Sequence, residues 1–198
     1  MTDEQDQPNT IHLTDPRAMR VLSHATRLRL LGELRMRGPQ TVGMLGEIVD
    51  EAPGSVSYHL GRLAAFGFVE ERPELAKDRR ETWWASVHTT TSWKPLELLA
   101  DPQRHAASDV LRRQIYRSYL SSLENYLEIE PALEPEWVAG AAGGDVLLDL
   151  TAAELAELRD EVTALADRWK ARSDARTPGS GDEVHGVSLI FHAFRRQV

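Results

Sequence analysis

Leu28, Leu31 and Leu34 recur at three-residue intervals between Ala25 and Arg37, and Leu30 widens the same stripe. That spacing predicts an amphipathic helix, which Gly38-Pro39 stops. Ahead of it, Asp15 reads as an N-cap with Pro16 in the first helical position, opening a short helix to about Leu22, and Ser23 offers a second cap. Thr41 caps a third, short helix through about Val49, with Val42, Leu45, Ile48 and Val49 as its buried stripe. Pro53 opens a fourth, in which Val56, Leu60 and Leu63 are spaced four and three before Gly67 ends it. Two short helices joined by a tight polar link predict a helix-turn-helix. Phe68 to Arg72 and Glu81 to Val87 read as strands flanking a polar loop, a β-hairpin with a charged tip.

Downstream, Ser92 to Leu127 is helical in pattern, broken near Asp101-Pro102 because proline disfavours helix at the residue before it. Leu111, Ile115, Tyr119, Leu123 and Leu127 recur every four residues, and Tyr116, Leu120 and Tyr126 broaden the stripe beyond what a small domain covers, which implies a partner surface. Glu128 to Glu136 reads as a linker. A strand is expected at Trp137 to Ala139, a turn at Gly140 to Gly144, and a second strand at Val146 to Leu150. Thr151 and Glu154 form a capping-box pattern opening a helix that carries Leu155, Leu158, Val162, Leu165 and Trp169. A loop from Ser173 to Glu183 leads to a third strand, Val187 to Phe194. The expected fold is mainly α with small β: a mobile acidic tail over 1–14, a winged helix-turn-helix over 15–87, dimerisation helices over 88–130 and a helix-plus-sheet unit over 131–198.

Composition narrows the chemistry. The 198 residues are 41% hydrophobic, enough for one domain and a smaller second. No apolar run approaches the roughly 18 residues that cross a bilayer, and the polar, acidic N-terminus lacks the features of a secretion signal, so a soluble, cytoplasmic protein is expected. With no cysteine, disulfides, thiolate nucleophiles and thiolate metal sites are excluded. His105 and Asp109, four apart, read as a surface pair rather than metal ligands, and neither a metal nor a cofactor is expected. A phosphate-cradling glycine loop, a nucleophile elbow and an HExxH pair are all missing, and Gly140 to Gly144 opens into a strand, which argues against an enzyme. Net charge is −8, but residues 15–87 hold 11 basic against 10 acidic side chains, while 88–198 hold 12 against 18. The acidity therefore lies outside the first domain, and a nucleic-acid partner is permitted there.

Leu22-Ser-His-Ala-Thr-Arg-Leu-Arg-Leu-Leu31, followed by Val56-Ser-Tyr-His-Leu60, Leu63 and Gly67-Phe-Val69, resembles the ArsR-type winged-helix repressors over about Asp15 to Val87. The resemblance implies a homodimer on double-stranded DNA, with the fourth helix in the major groove and an inverted-repeat operator. Gly54, Ser55, Ser57, Tyr58, His59 and Arg62 would then lie on or near the DNA-facing side, with the helix N-terminus near Gly54 at a phosphate. His59 neighbours Leu60 and Leu63 and reads equally well as a half-buried residue. In the wing, Lys77, Arg79 and Arg80 would reach the backbone or minor groove. Metal-sensing members of that family use a cysteine pair near the recognition helix, a route closed here. Trp93, Tyr116, Tyr119, Trp137 and Trp169 read either as ordinary core or as walls of a small-molecule effector pocket. A winged-helix interaction module that does not bind DNA is the alternative function.

Overall fold

Asp15 accepts from the Arg17 amide at 2.8 Å and so caps α1 (Pro16–Leu22), whose first residue, a proline, has no amide to satisfy. The computed structural model describes residues 10–78, 81–176 and 183–196. The chain divides into two units, Met1–Glu128 and Ile129–Val198.

In the first unit, α2 (Ala25–Arg37) follows α1 directly, but Ser23 does not cap it. His24 holds the N-cap position without a side-chain bond, and the Ser23 hydroxyl donates to the Arg20 carbonyl at 2.9 Å. Ser23 thus closes α1 instead of opening α2. Thr41 does cap α3 (Val42–Val49), accepting from the Met44 amide at 3.2 Å. Helix α4 (Pro53–Ala64) starts at its proline, as expected. The fully buried Leu30 and Leu34 of α2, Leu45 of α3, Val56, Leu60 and Leu63 of α4, and Phe68 beyond it form one apolar cluster. Each such side chain contributes about 1.5–3 kcal/mol when taken from water. Truncating Leu60 to alanine is therefore expected to cost about 2–5 kcal/mol.

Residues Thr10–His12 form β1, paired in parallel with β5 (Thr90–Ser92) in the register Ile11 to Thr91. Leu13, just beyond, is buried, and its amide donates to the Ser92 carbonyl at 2.9 Å. The acidic tail expected over 1–14 is corrected from residue 10 onward, because the partner strand lies some eighty residues away and no local pattern reports it. The wing is a three-stranded antiparallel sheet in which β4 (Trp83–Ser86) lies between β2 (Gln40–Thr41) and β3 (Val69–Glu71), with Glu71 opposite Trp84. The half-buried Arg35 donates to the His88 carbonyl at 2.9 Å and the Thr91 hydroxyl at 2.8 Å, tying α2 to the chain that leaves the wing.

The break at Asp101-Pro102 separates α5 (Pro95–Leu99) from α6 (Pro102–Ile129), and Asp101 accepts from the amides of Gln103 and Arg104. Ala107, Ser108 and Leu111 of α6 are buried. Further along, Tyr116, Leu120, Leu123 and Leu127 are exposed.

The second unit holds α7 (Pro135–Gly140) and α8 (Ala152–Asp174). Trp137 to Ala139, expected as a strand, is helical: Pro135 suits a first helical turn, and the Trp137 and Val138 amides both donate to the Glu134 carbonyl. The capping box of α8 is present in both directions, Glu154 amide to Thr151 hydroxyl at 3.2 Å and Thr151 amide to Glu154 carboxylate at 2.7 Å. Residues 146–150 and 187–194 form no strand among the described residues, so the expected helix-plus-sheet unit is corrected to one whose regular elements are helices. A strand pattern becomes a strand only beside an aligned neighbour about 4.8 Å away, and among the described residues no such ladder forms here. No helix among the described residues is long and apolar enough to cross a membrane.

Candidate nucleic-acid interface

Helix α4 shows two chemically distinct faces. Val56, Leu60 and Leu63 are sealed into the core, and opposite them Gly54, Ser57, Tyr58, Gly61 and Arg62 are exposed, Tyr58 to 63%. Hydroxyls, a guanidinium and open backbone thus share one rigid outer surface. Such groups bond phosphate oxygens and base edges.

The turn feeding α4 is built from Asp50, Glu51 and Ala52. Asp50 takes a left-handed conformation with φ 57°, and the Glu51 amide donates to the Gly46 carbonyl at 3.1 Å. A Cβ on Gly46 would lie 2.9 Å from the Glu51 carbonyl oxygen, so only glycine lets the turn pack this closely on α3. On α2, Arg29 donates to the Ile48 carbonyl at 2.5 Å and the Val49 carbonyl at 3.4 Å, satisfying the C-terminal end of α3.

Glu51 is the polar hub behind the outer face. Its carboxylate accepts from Thr26 of α2 and Ser55 of α4, both at 2.6 Å, and lies 3.8 Å from Nε2 of His59. The Ser55 hydroxyl, foremost, and the Thr26 hydroxyl hold this carboxyl below its ordinary range. His59 is only 8% exposed, its ring centroid 4.6 Å from that of His24 and edge-on to Tyr58 at 5.3 Å; its Nδ1 is buried without a hydrogen-bond partner among the described residues. His59 takes the buried place that its sequence neighbours allowed beside the groove reading, and the Ser55 hydroxyl is engaged within the turn. Ser55 turns its hydroxyl inward to Glu51, and His59 packs between α2 and α4.

Burial, then the neighbouring Arg27 and His59, push the His24 imidazole below its ordinary value, against a smaller opposing pull from Glu51. Arg27, read from the sequence as a structural residue, lies close enough to Arg62 and Tyr58 for their charges to act on it, and burial lowers its guanidinium. Its Nε is buried and unpartnered among the described residues. Arg27 thus feels the charges of Tyr58 and Arg62. Its distance from them in sequence hid the relation.

In the wing, Glu81 accepts from the Lys77 amide at 3.1 Å and the Trp83 indole at 3.2 Å, and these bonds, the Lys77 amide first, keep its carboxyl low. Lys77 is exposed at the wing's tip. Arg72 pairs with Glu74. Arg79 and Arg80, the other expected wing contacts, lie outside the described residues.

The five aromatics expected as core or effector walls divide between the two units. In the first, Trp93 is half-buried against the core, Tyr119 is half-buried with burial raising its phenol, and Tyr116 is exposed, accepting from Arg112 at 3.2 Å. In the second, Trp137 meets His185 edge-on, and Trp169 is exposed under the Arg172 guanidinium at 5.0 Å. No cluster of His, Asp and Glu able to hold a metal ion occurs among the described residues.

A family described as a helix-turn-helix domain matches residues 22–72, which run from the end of α1 into the wing. No curated protein matches the chain. Among solved structures, the chain is similar to a double mutant of Lactococcus lactis ZitR in apo form, at 15% identity over 75% of this chain and 83% of that one, with a TM-score of 0.30. It is similar to a mutant MarR from E. coli complexed with operator DNA at 15% identity, over 75% and 84%, with a TM-score of 0.30. Wild-type L. lactis ZitR in complex with DNA matches at 15% identity over 85% and 81%, with a TM-score of 0.28.

Proposed function

We propose that this helix-turn-helix protein is a transcriptional regulator of ArsR type, a repressor that binds an inverted-repeat DNA site as a homodimer. The observation that carries the reading is the outer face of α4, where Ser57, Tyr58 and Arg62 stand exposed on a helix whose other face is locked into the core. In this reading α4 enters the major groove. Arg62 and Tyr58 bond phosphates or bases, Ser57 meets a groove edge, and the open N-terminus at Gly54 receives a phosphate. Lys77, Arg79 and Arg80 of the wing track the neighbouring backbone.

Two recognition helices about 34 Å apart suit successive major grooves, so a dimer sees half-sites one helical turn apart. The exposed Tyr116, Leu120, Leu123 and Leu127 of α6 support pairing of two copies along that helix. Release by a small-molecule effector is the regulatory part of the proposal. Selection from a random-sequence DNA pool tests the function: enrichment of a two-fold symmetric site supports it, and a pool left unenriched by folded protein contradicts it.

A further inference from the structure

Helix α6 is apolar on two opposite sides, and the fold of one chain covers only one of them. Ala107 and Leu111 are buried and Ile115 packs on the core, so that side faces the first unit. At about 100° of turn per residue, Tyr116, Leu120, Leu123 and Leu127 fall on the other side, exposed to 43%, 57%, 52% and 65%. Their spacing of four, three and four residues is the seam of a two-stranded coiled coil, positions d, a, d and a of successive heptads. Toward the helix start the seam stops, because Asp109 and Arg113 take the same side and bond each other at 2.8 Å. The uncovered patch is therefore short, and a second copy of the chain presents one of equal length.

Charge sets the direction in which that copy runs. Arg117 and Glu124 hold the two e positions beside the seam, are exposed, and make no hydrogen bond or ion pair among the described residues. Tyr119 and Tyr126 hold the g positions on the other flank, preceded by Arg112. In a parallel pair each g position faces the e position of the following heptad in the partner, so Arg112 of one copy stands beside Arg117 of the other, twice per dimer. In an antiparallel pair e faces e. With Leu120 of one copy level with Leu123 of the other, Tyr116 comes level with Leu127, and Arg117 stands beside Glu124, again twice by symmetry. Two opposite-charge contacts thus replace two like-charge ones, and charges flanking such a seam select orientation.

We infer that the exposed stripe of α6 is covered by the same stripe of a second copy running in the opposite direction, with Leu120 layered on Leu123 and Arg117 paired with Glu124 across the seam. The inference rests on the two-copy assembly of the proposed function, adds the direction and register of the helices, and is independent of DNA.

Cysteines at the two ends of the seam read the direction, since the chain has none of its own. Tyr116→Cys and Leu127→Cys are made in separate copies and oxidised mildly, each alone and after refolding together. Antiparallel helices bring residue 116 of one copy to residue 127 of the other and hold identical residues about 16 Å apart along the axis. A disulfide-linked dimer is expected from the mixture and from neither variant alone. Links in each variant alone, or none in a mixture that sediments as a dimer, overturn the inference and leave the dimer standing. A wild-type chain that sediments as a monomer at micromolar concentration overturns both.

A charge series guards against packing lost at the cysteine positions. At low ionic strength, Arg117→Glu alone is expected to raise the dimer dissociation constant several-fold by placing like charge beside Glu124, and adding Glu124→Arg is expected to restore it. If Arg117→Glu leaves the dimer unchanged, or tightens it as relief of Arg112 in a parallel pair requires, the inference is overturned.

Discussion

The hydroxyl of Ser55, in the first turn of α4, donates to the Glu51 carboxylate at 2.6 Å, and the same carboxylate accepts from Thr26 of α2 at the same distance. One carboxylate therefore fixes the entry of α4 against α2. Hydrogen bonds to a charged group contribute about 1.5–3 kcal/mol each. Glu51→Ala is expected to cost about 2–3 kcal/mol in urea unfolding, with DNA affinity falling further than stability alone explains. A cost within experimental error would show that α4 is held by its apolar face alone.

The acid limb of stability carries the same signature. The folded Glu51 carboxyl lies below its ordinary value, chiefly through Ser55. Its contribution is thus complete above the ordinary carboxylate pKa, about 4.3, and is lost as pH falls through the lower folded value. The stability difference between wild type and the Thr26→Val, Ser55→Ala double variant should be flat above about pH 5.5 and shrink below about pH 4. A difference that stays constant down to pH 3 contradicts the assignment.

His24 acts near neutrality. Burial, Arg27 and His59 hold its imidazole below the ordinary value, so the unfolded chain binds the proton more readily and stability rises as pH climbs through about 6.5. His24→Asn is expected to flatten the slope of stability against pH between about 5 and 7. The slope is measured by urea midpoints, and an unchanged slope assigns it to another group.

Gly46 tests the turn. An added Cβ meets the Glu51 carbonyl at 2.9 Å, a backbone atom that yields only if the turn moves. Gly46→Ala should cost about 1–3 kcal/mol despite alanine's better helix propensity, whereas Gly61→Ala, with open space around the position, should be neutral or slightly stabilising. Equal effects at both positions contradict the close approach.

Helix starts in both units are legible in the sequence because their signals are local. Asp15-Pro16, Thr41, Pro53 and the Thr151/Glu154 box mark helix starts within a few residues of the groups they satisfy, and the four-three spacing of Val56, Leu60 and Leu63 orients α4 correctly. Long-range relations are not legible. The pairing of Ile11 with Thr91, the electrostatic influence of Tyr58 and Arg62 on Arg27, and the inward turn of Ser55 all depend on elements brought together by folding. His59 shows the boundary between the two. Its neighbours Leu60 and Leu63 hint at burial, but His24 and Glu51, which surround it, come from another helix and from the turn. In the second unit, strand patterns at 146–150 and 187–194 are plain in the sequence, yet a pattern does not name its partner.

If the outer face of α4 reads DNA, fluorescence-anisotropy titration across a salt series, on the selected site and on random DNA, separates wild type from Arg62→Ala. Wild type is expected to bind its site specifically with a steep salt dependence. Arg62→Ala is expected to lose about 1–3 kcal/mol if Arg62 reads a base, or to show a log–log salt slope reduced by about one if it neutralises a phosphate, with the urea midpoint unchanged in either case. Identical titrations for the two proteins at every salt concentration would contradict it.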